Sequence, residues 1–339
     1  MIRRVNTAME KVMKAIYATG AGGPEVLAMA DVYAPVPGPG EVLIDVVAAG
    51  MNRADVQQRR GFYPPPAGAS PILGLEVSGR IAGFGPNVTK PFSIGDKVVA
   101  LLTGGGYAAQ VAVPAGQVLP LPEGIDVISA AGLPEVAATV HSNLFMTAQL
   151  QAGETLLVHG GAGGIGAMAI QLAKAAGARV VATAGSDEKV AMLTSYLGAD
   201  LAVNYRSEDF VERVRDFTDG EGANVILDVV GAKYLARNVE ALATYGRLVV
   251  IGLQGGATAE LNLGALLTKR AAIIGTTLRA RSVEEKTAIM EGVRDHVWPL
   301  IASGAVKPMV DRTFPLAQAA AAHEYFDSGA HVGKVLLTL

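Results

Sequence analysis

Between residues 154 and 278 the chain repeats one pattern six times: a short, continuously apolar run, a turn, then a stretch with helical spacing. The runs are "TLLVHG", "RVVATAG", "LAVNY", "NVILDVVG", "RLVVIG" and "AAIIGTTL". A strand apolar on both faces has to be covered on both faces, and helices between such strands make neighbouring strands parallel. The pattern predicts an α/β unit built on a doubly wound, parallel six-stranded sheet. The chain before it reads differently. From Lys14 to about Leu121, β-rich runs such as "EVLIDVVAAG", "GRIAGFGPNV", "DKVVALL" and "YAAQVAVP" alternate with Gly and Pro, predicting a small, mostly antiparallel, barrel-like domain. Inside it, "GFYPPPAGAS" (61–70) has three consecutive prolines, which forbid helix and favour an extended loop.

Beyond Arg281 a helical stretch, "EEKTAIMEGVRDHVWPLI", leads to "VDRTFPLAQAAAAHEYFDSG" and "GKVLLTL", which return to the first style. The chain therefore divides into a discontinuous domain, residues 13–137 and 282–339, and an inserted one, 138–281, with residues 1–12 as a flexible tail. A length of 339 residues suffices for two cores.

The first of the six turns is "HGGAGGIG" (159–166), five glycines in eight positions. It follows the strand Thr155 to Val158 and opens a helix whose apolar residues Ile165, Met168, Ala169, Leu172, Ala173 and Ala176 keep helical spacing. Gly161-x-Gly163-x-x-Gly166 in this frame is the dinucleotide fingerprint of the Rossmann fold. Gly161 permits the tight turn, Gly163 lets a diphosphate approach the backbone, and Gly166 lets helix and strand pack closely. Gly164 and Ile165 add free amides at the positive end of the helix.

Discrimination between dinucleotides falls to the end of the second strand, where an acidic residue about 20 positions on would hold the ribose of NAD. Ser186 stands there instead, in "ATAGSDEKV". Ser186 and Lys189, with Tyr205 from the third strand, could enclose a 2′-phosphate, which favours NADPH over a weaker NADH. The alternatives are plain: Ser186 an N-cap, Lys189 a solvated helix face, Tyr205 a half-buried strand residue, and Asp187 either a ribose ligand or a first-turn acid.

Composition removes other classes of function. A net charge of −3 with no long basic run leaves no footprint for nucleic acid. No apolar run approaches the roughly 20 residues of a membrane span, and no apolar segment of about 7 to 15 residues marks a secretory signal. The expectation is a cytoplasmic protein. Zero cysteines remove disulfides and thiolate chemistry. The five histidines, at 141, 159, 296, 323 and 331, form no HExxH or similarly spaced pair, so no metal site is expected. There is no G-x-S-x-G elbow, and no Y-x-x-x-K pair. His141 and His159 read as structural.

Further motifs resemble the medium-chain dehydrogenase/reductases in their zinc-independent quinone oxidoreductase branch. These are "GLEVSGRIAGFGPNV" (74–88), "GDKV" (95–98) and "GGAGGIG", together with "NRADVQQRRGFYPPPAGASPILGLE", "LLTGGGYAAQVAVP", "DVVGAKYLARNV" and "VGKVLL". The resemblance spans nearly the whole chain after Met13. It departs from zinc-dependent relatives, which have a cysteine near Met51 and a histidine after Gly74 where this chain has Leu75, and which carry a cysteine-rich lobe missing here.

The resemblance implies a GroES-like first domain and hydride transfer from the nicotinamide to a quinone, without zinc. It implies Asn52 and Asp55 at the cleft floor and Tyr63 over the acceptor, stacking on it or donating a proton. Structural readings stand beside these: Asn52 caps a turn, Asp55 pairs with Arg53 or Arg59, Tyr63 anchors its loop. The resemblance also assigns Thr139 to the ribose or diphosphate and Gly252 to close approach of the ring. Thr139 could instead back-bond in its helix, and Gly252 serve a strand-end turn. Lys334 and Arg279 could reach the cofactor or acceptor across the cleft, or either could be a surface charge, the simpler reading for Arg279. The sixth strand is an apolar sheet edge, which implies a homodimer. An NADPH-dependent enoyl or enone reductase of the same fold, or a non-catalytic NADPH sensor, remain the other readings.

Overall fold

The computed structural model describes residues 11–339. Its inserted unit follows from the six apolar runs. The strands β8 (Thr155–Val158), β9 (Arg179–Ala184), β10 (Leu201–Asn204), β11 (Ala223–Asp228), β12 (Leu242–Val250) and β13 (Ala272–Gly275) are numbered in chain order after the seven of the first domain. They form one sheet in the order β10-β9-β8-β11-β12-β13, every pair parallel. This is the doubly wound order with its switch point between β8 and β11, where open α/β sheets hold ligands at the carboxyl ends of the strands. Strand β12 begins earlier than its apolar run, with Tyr245 at φ 61° inside it. The sixth strand, β13, lies at the sheet edge, as its sequence implied.

The first unit holds β1 (Val12–Ala18), β2 (Leu27–Tyr33), β3 (Glu41–Gly50), β4 (Glu76–Phe84), β5 (Lys97–Leu101), β6 (Gln110–Pro114) and β7 (Val118–Pro120). The returning chain adds β14 (Val310–Pro315) and β15 (Lys334–Thr338), which complete a seven-stranded sheet through β15 against β3. All its pairs are antiparallel except β14 with β15. Residues 1–10 of the expected tail lie outside the described residues. Its last two do not belong to a tail: Lys11 accepts a hydrogen bond from Ala34 N–H, and Val12 pairs with Tyr33 in β1.

One apolar core crosses from unit to unit. Leu133, Val136 and Val140 pack with Leu156 and Met168 of the nucleotide sheet and with Ile289 and Val293 of the returning helix Val283–His296. Trp298, the only tryptophan, donates Nε1–H to Pro120 O at 2.9 Å across the same junction. Among the described residues no helix is long and apolar enough to cross a membrane.

Candidate active site

The glycine loop gets its shape from local sterics. A Cβ on Gly166 would overlap Gly160 O and stand 2.5 Å from Gly161 Cα, while one on Gly161 would press on Leu193 and Ala182. These are backbone and core atoms that cannot yield. A Cβ on Gly163 would meet only Gly160 O, at 3.5 Å, so that side opens outward. The helix Gly164–Ala175 starts with no side-chain cap, leaving the amides of Gly164, Ile165 and Gly166 without intrahelical acceptors. Filled beneath and open above, the loop fits a diphosphate.

At the end of β9, Ser186 is the N-cap of the helix Asp187–Ser195, accepting from Lys189 N–H at 3.4 Å. Tyr205, half-exposed, lays its phenol over Gly185, where a Cβ would stand 2.5 Å from Oη. The Tyr205 phenol thus lies beside Gly185, the residue that precedes Ser186. Lys189 is not on a solvated face: Nζ donates to Gly329 O at 2.6 Å and His331 O at 3.1 Å, tying the helix to the returning chain, and burial lowers its pKa. Asp187 accepts from Asn204 Nδ2 at 2.6 Å, in the first helical turn. Arg206, exposed and close enough to depress Lys189 further, is a cation the sequence reading passed over.

The cleft floor is a buried polar network. Lys334 Nζ donates to Glu76 Oε1 (2.6 Å), Met51 O (2.6 Å) and Asn52 Oδ1 (2.7 Å). Asn52 Nδ2 donates to the same Glu76 oxygen at 2.9 Å, and Glu135 N–H to Glu76 Oε2 at 2.9 Å. The Lys334 stem crosses the loop so closely that a Cβ on Gly164 would stand 2.6 Å from its Cδ. Its ammonium is therefore spent on the floor.

Asp55 is fully buried and accepts from Asn52 N–H (2.8 Å), Gly74 N–H (2.9 Å) and Tyr107 Oη–H (3.3 Å). Burial pushes its pKa up to about 6, against those amide donors. The pairing of Asp55 with Arg53 or Arg59 is corrected: both guanidiniums go to Asp327, at 3.4 and 2.6 Å. The phrase "NRAD" suggested the pairing by adjacency, but Asp55 faces inward at the start of the helix Arg53–Arg59 and Arg59 meets the helix Ala319–Ser328.

Tyr63 hangs over the opposite wall. Its hydroxyl lies 3.2 Å from Thr277 Oγ1, just past β13, so the proline-rich loop is anchored to the nucleotide-binding unit. Arg279 is not a surface charge: at 4% exposure it donates to Gln58 Oε1 (2.7 Å) and Thr103 O (2.8 Å), and its guanidinium lies 5.4 Å from the Tyr63 ring centroid. Lys286 joins the wall through Thr103 Oγ1 at 2.6 Å.

Two more expected residues behave unequally. The Thr139 hydroxyl has no hydrogen-bond partner among the described residues; only its carbonyl is used, by Ser142 and Asn143. Back-bonding is thus not observed, and the hydroxyl is available. Gly252 is accounted for by packing, since a Cβ there would stand 2.8 Å from Val229 O.

The structure brings Asn52, Asp55 and Lys334 into one cluster beneath the glycine loop, with Tyr63 across the cleft and Ser186 and Tyr205 at its far end. Glu76, Glu135, Arg279 and Lys286 were missed as parts of it. Glu76 had a signal, a carboxylate set between the apolar Leu75 and Val77 at the start of a strand; Glu135 had none beyond an ordinary first-turn acid.

Comparison with known proteins gives two domain matches: Alcohol dehydrogenase GroES-like domain over residues 38–123 and Zinc-binding dehydrogenase over 164–292. Quinone oxidoreductase of Rattus norvegicus is 33% identical over 333 residues, covering 97% of this chain and 99% of its own. Quinone oxidoreductase 1 of Escherichia coli (strain K12) is 34% identical over 319 residues, covering 93% and 96%. The solved structure of Escherichia coli quinone oxidoreductase complexed with NADPH superposes with a TM-score of 0.85 at 32% identity, covering 96% of this chain and 100% of that one.

Proposed function

This chain belongs to the quinone oxidoreductase branch of the medium-chain dehydrogenase/reductases, a family of oxidoreductases, and from that premise we propose that it is a cytoplasmic, zinc-independent NADPH:quinone reductase. The observation that carries the reading is the cradle at Gly161 to Gly166, closed by core atoms beneath and open at Gly163. Its free amides would hold the diphosphate, and the Thr139 hydroxyl, without a partner among the described residues, would bond the ribose. Ser186 and Tyr205 bind the 2′-phosphate, with Lys189 turning to it from its carbonyl partners and Arg206 adding charge. Bound there, the reduced nicotinamide supplies two electrons and a proton to the acceptor. The protein's share is positioning. Asn52 and Lys334 brace the floor, Asp55 fixes Asn52 and the Gly74 turn, and Tyr63 stacks on a flat acceptor from above.

Zinc independence rests on the residues at the floor. Met51 and Leu75 are both fully buried and stand where cysteine and histidine ligands would be needed, and among the described residues no group of three or more His, Asp or Glu could hold a metal ion. A homodimer through β13 belongs to the same reading, since that edge has no partner strand among the described residues and the helix just before it in the chain exposes Leu263 and Leu267; light scattering tests it.

The decisive assay follows loss of nicotinamide absorbance from NADPH and NADH against ortho-quinones, para-quinones and enoyl thioesters, with cofactor affinity measured in parallel. Faster consumption of NADPH with quinones is the expected result. Faster turnover of enoyl thioesters would replace the reading with an enoyl reductase, and tight binding without turnover would replace it with a sensor.

A further inference from the structure

We propose that Glu135 is the proton donor of this site, its carboxylic acid protonating the acceptor oxygen that reduction leaves negatively charged. The inference rests on the quinone reductase reading above and assigns a residue to the protonation step of that reaction.

Glu135 opens the helix Pro134–Val140, and its amide is fixed on Glu76 Oε2 at 2.9 Å. The next residue, Val136, packs against the glycine loop: a Cβ on Gly164 would stand 3.3 Å from Val136 Cγ1. The charged groups facing the Glu135 carboxyl come from both walls. They are Glu76 of β4, Lys334 of β15, Asp55 of the helix Arg53–Arg59 and Lys286 of the helix Val283–His296, with Arg279 from the segment after β13. Arg279 in turn lies over Tyr63. Glu135 therefore sits between the nucleotide loop and the loop assigned to the acceptor.

Three carboxyl groups share this space, and their partners differ. Glu76 accepts from Lys334, Asn52 and the Glu135 amide. Asp55 accepts from two amides and a phenol. The Glu135 carboxyl accepts no hydrogen bond and makes no ion pair within 4.0 Å among the described residues, yet it is only half-buried and retains a path to water. When carboxyl groups crowd one site, the group without donors is the one that keeps its proton. Burial and the neighbouring Glu76 carboxylate push the Glu135 pKa up to about 8. Near neutral pH Glu135 is an acid poised to give a proton, as general acids work best close to the operating pH.

The step balances. The quinone gains two electrons and a proton from the reduced nicotinamide, leaving one oxygen as an oxyanion. The Glu135 O–H bond breaks, an O–H bond forms on that oxygen, and Glu135 is left a carboxylate that regains a proton from water.

The test compares the wild type with Glu135→Gln and Glu135→Asp. Difference infrared spectroscopy of the unreacted protein should show a carboxylic C=O band titrating near pH 8 in the wild type and missing in Glu135→Gln, a readout independent of turnover. In quinone reduction, Glu135→Gln should lower kcat about 10²-fold and abolish the fall in rate above pH 8, with NADPH affinity unchanged; Glu135→Asp should keep that fall and recover part of the rate. Wild-type kcat and an intact alkaline limb in Glu135→Gln would overturn the proposal, as would a Glu135 band titrating in the ordinary carboxylate range. A wild type that oxidises NADPH with no quinone would overturn the functional reading as well, which separates the two failures.

Discussion

Lys334→Met removes the ammonium at the centre of the floor while keeping a side chain of similar length over Gly132 and Gly164. Three short contacts are lost, to Glu76 Oε1, Met51 O and Asn52 Oδ1. The residue left behind decides the magnitude. The Glu76 side chain is wholly inaccessible to water, so its carboxylate would keep only the Asn52 amide and the Glu135 backbone N–H. Removing one partner of a buried pair costs about 3–5 kcal/mol, because the surviving charge is neither hydrated nor neutralised.

Urea unfolding followed by Trp298 fluorescence and by circular dichroism reads that cost, and the Trp298 signal reports the junction between units directly. At about 2 °C per kcal/mol for a large chain, Tm should fall by about 6–10 °C. The double variant Lys334→Met/Glu76→Gln carries no buried charge at this point and should recover at least half the loss. A single-variant cost below about 1 kcal/mol, or a double variant as unstable as the sum of its parts, would refute the claim that a buried charge pair holds the floor.

Two glycines of the loop should separate stability from binding. Gly166→Ala drives a Cβ into Gly160 O and Gly161 Cα and should destabilise the fold measurably in the same urea assay. Gly163→Ala should leave unfolding unchanged and weaken NADPH binding in a fluorescence titration; the reverse pattern would show that the open face of the loop has been misidentified. The buried histidines predict acid sensitivity. Burial holds His159 near 4 and His323 near 3, whereas the unfolded chain protonates them at about 6.5. Their contribution is present above that value and is lost as pH falls from about 6.5 toward 4, by up to about 1.4 kcal/mol per pH unit for each. Thermal melts between pH 7 and 5 should show it, His159→Gln should reduce the slope, and a flat wild-type profile would sink the argument.

Much of the fold was legible because its determinants are local. The six apolar runs needed cover on both faces, and that requirement alone makes the strands parallel and places helices between them. At Gly166 the glycine requirement is local, set by the backbone of Gly160 and Gly161, whereas at Gly161 it comes from the Leu193 and Ala182 side chains packed beneath. Gly252 shows the limit of such reading: its sequence context admitted a ring or a turn, and gave no sign that Val229 packs where a side chain would stand.

The charged residues were where reading in one dimension failed. Asp55 was given the arginines beside it, but its partners are Asn52, Gly74 and Tyr107, and the arginines go to Asp327. Arg279 passed for a surface charge until the walls closed over it, and the solvated-face alternative for Lys189 gave no sign that its ammonium bonds carbonyls 140 and 142 residues away. By itself, then, the sequence determined the parallel sheet, the second β-rich unit and the nucleotide loop, since hydrophobic period and glycine spacing span only a few residues. Tertiary structure alone decided which charges are buried, which are paired and which carboxyl is left holding a proton, because desolvation and Coulomb energies depend on neighbours that chain order does not supply.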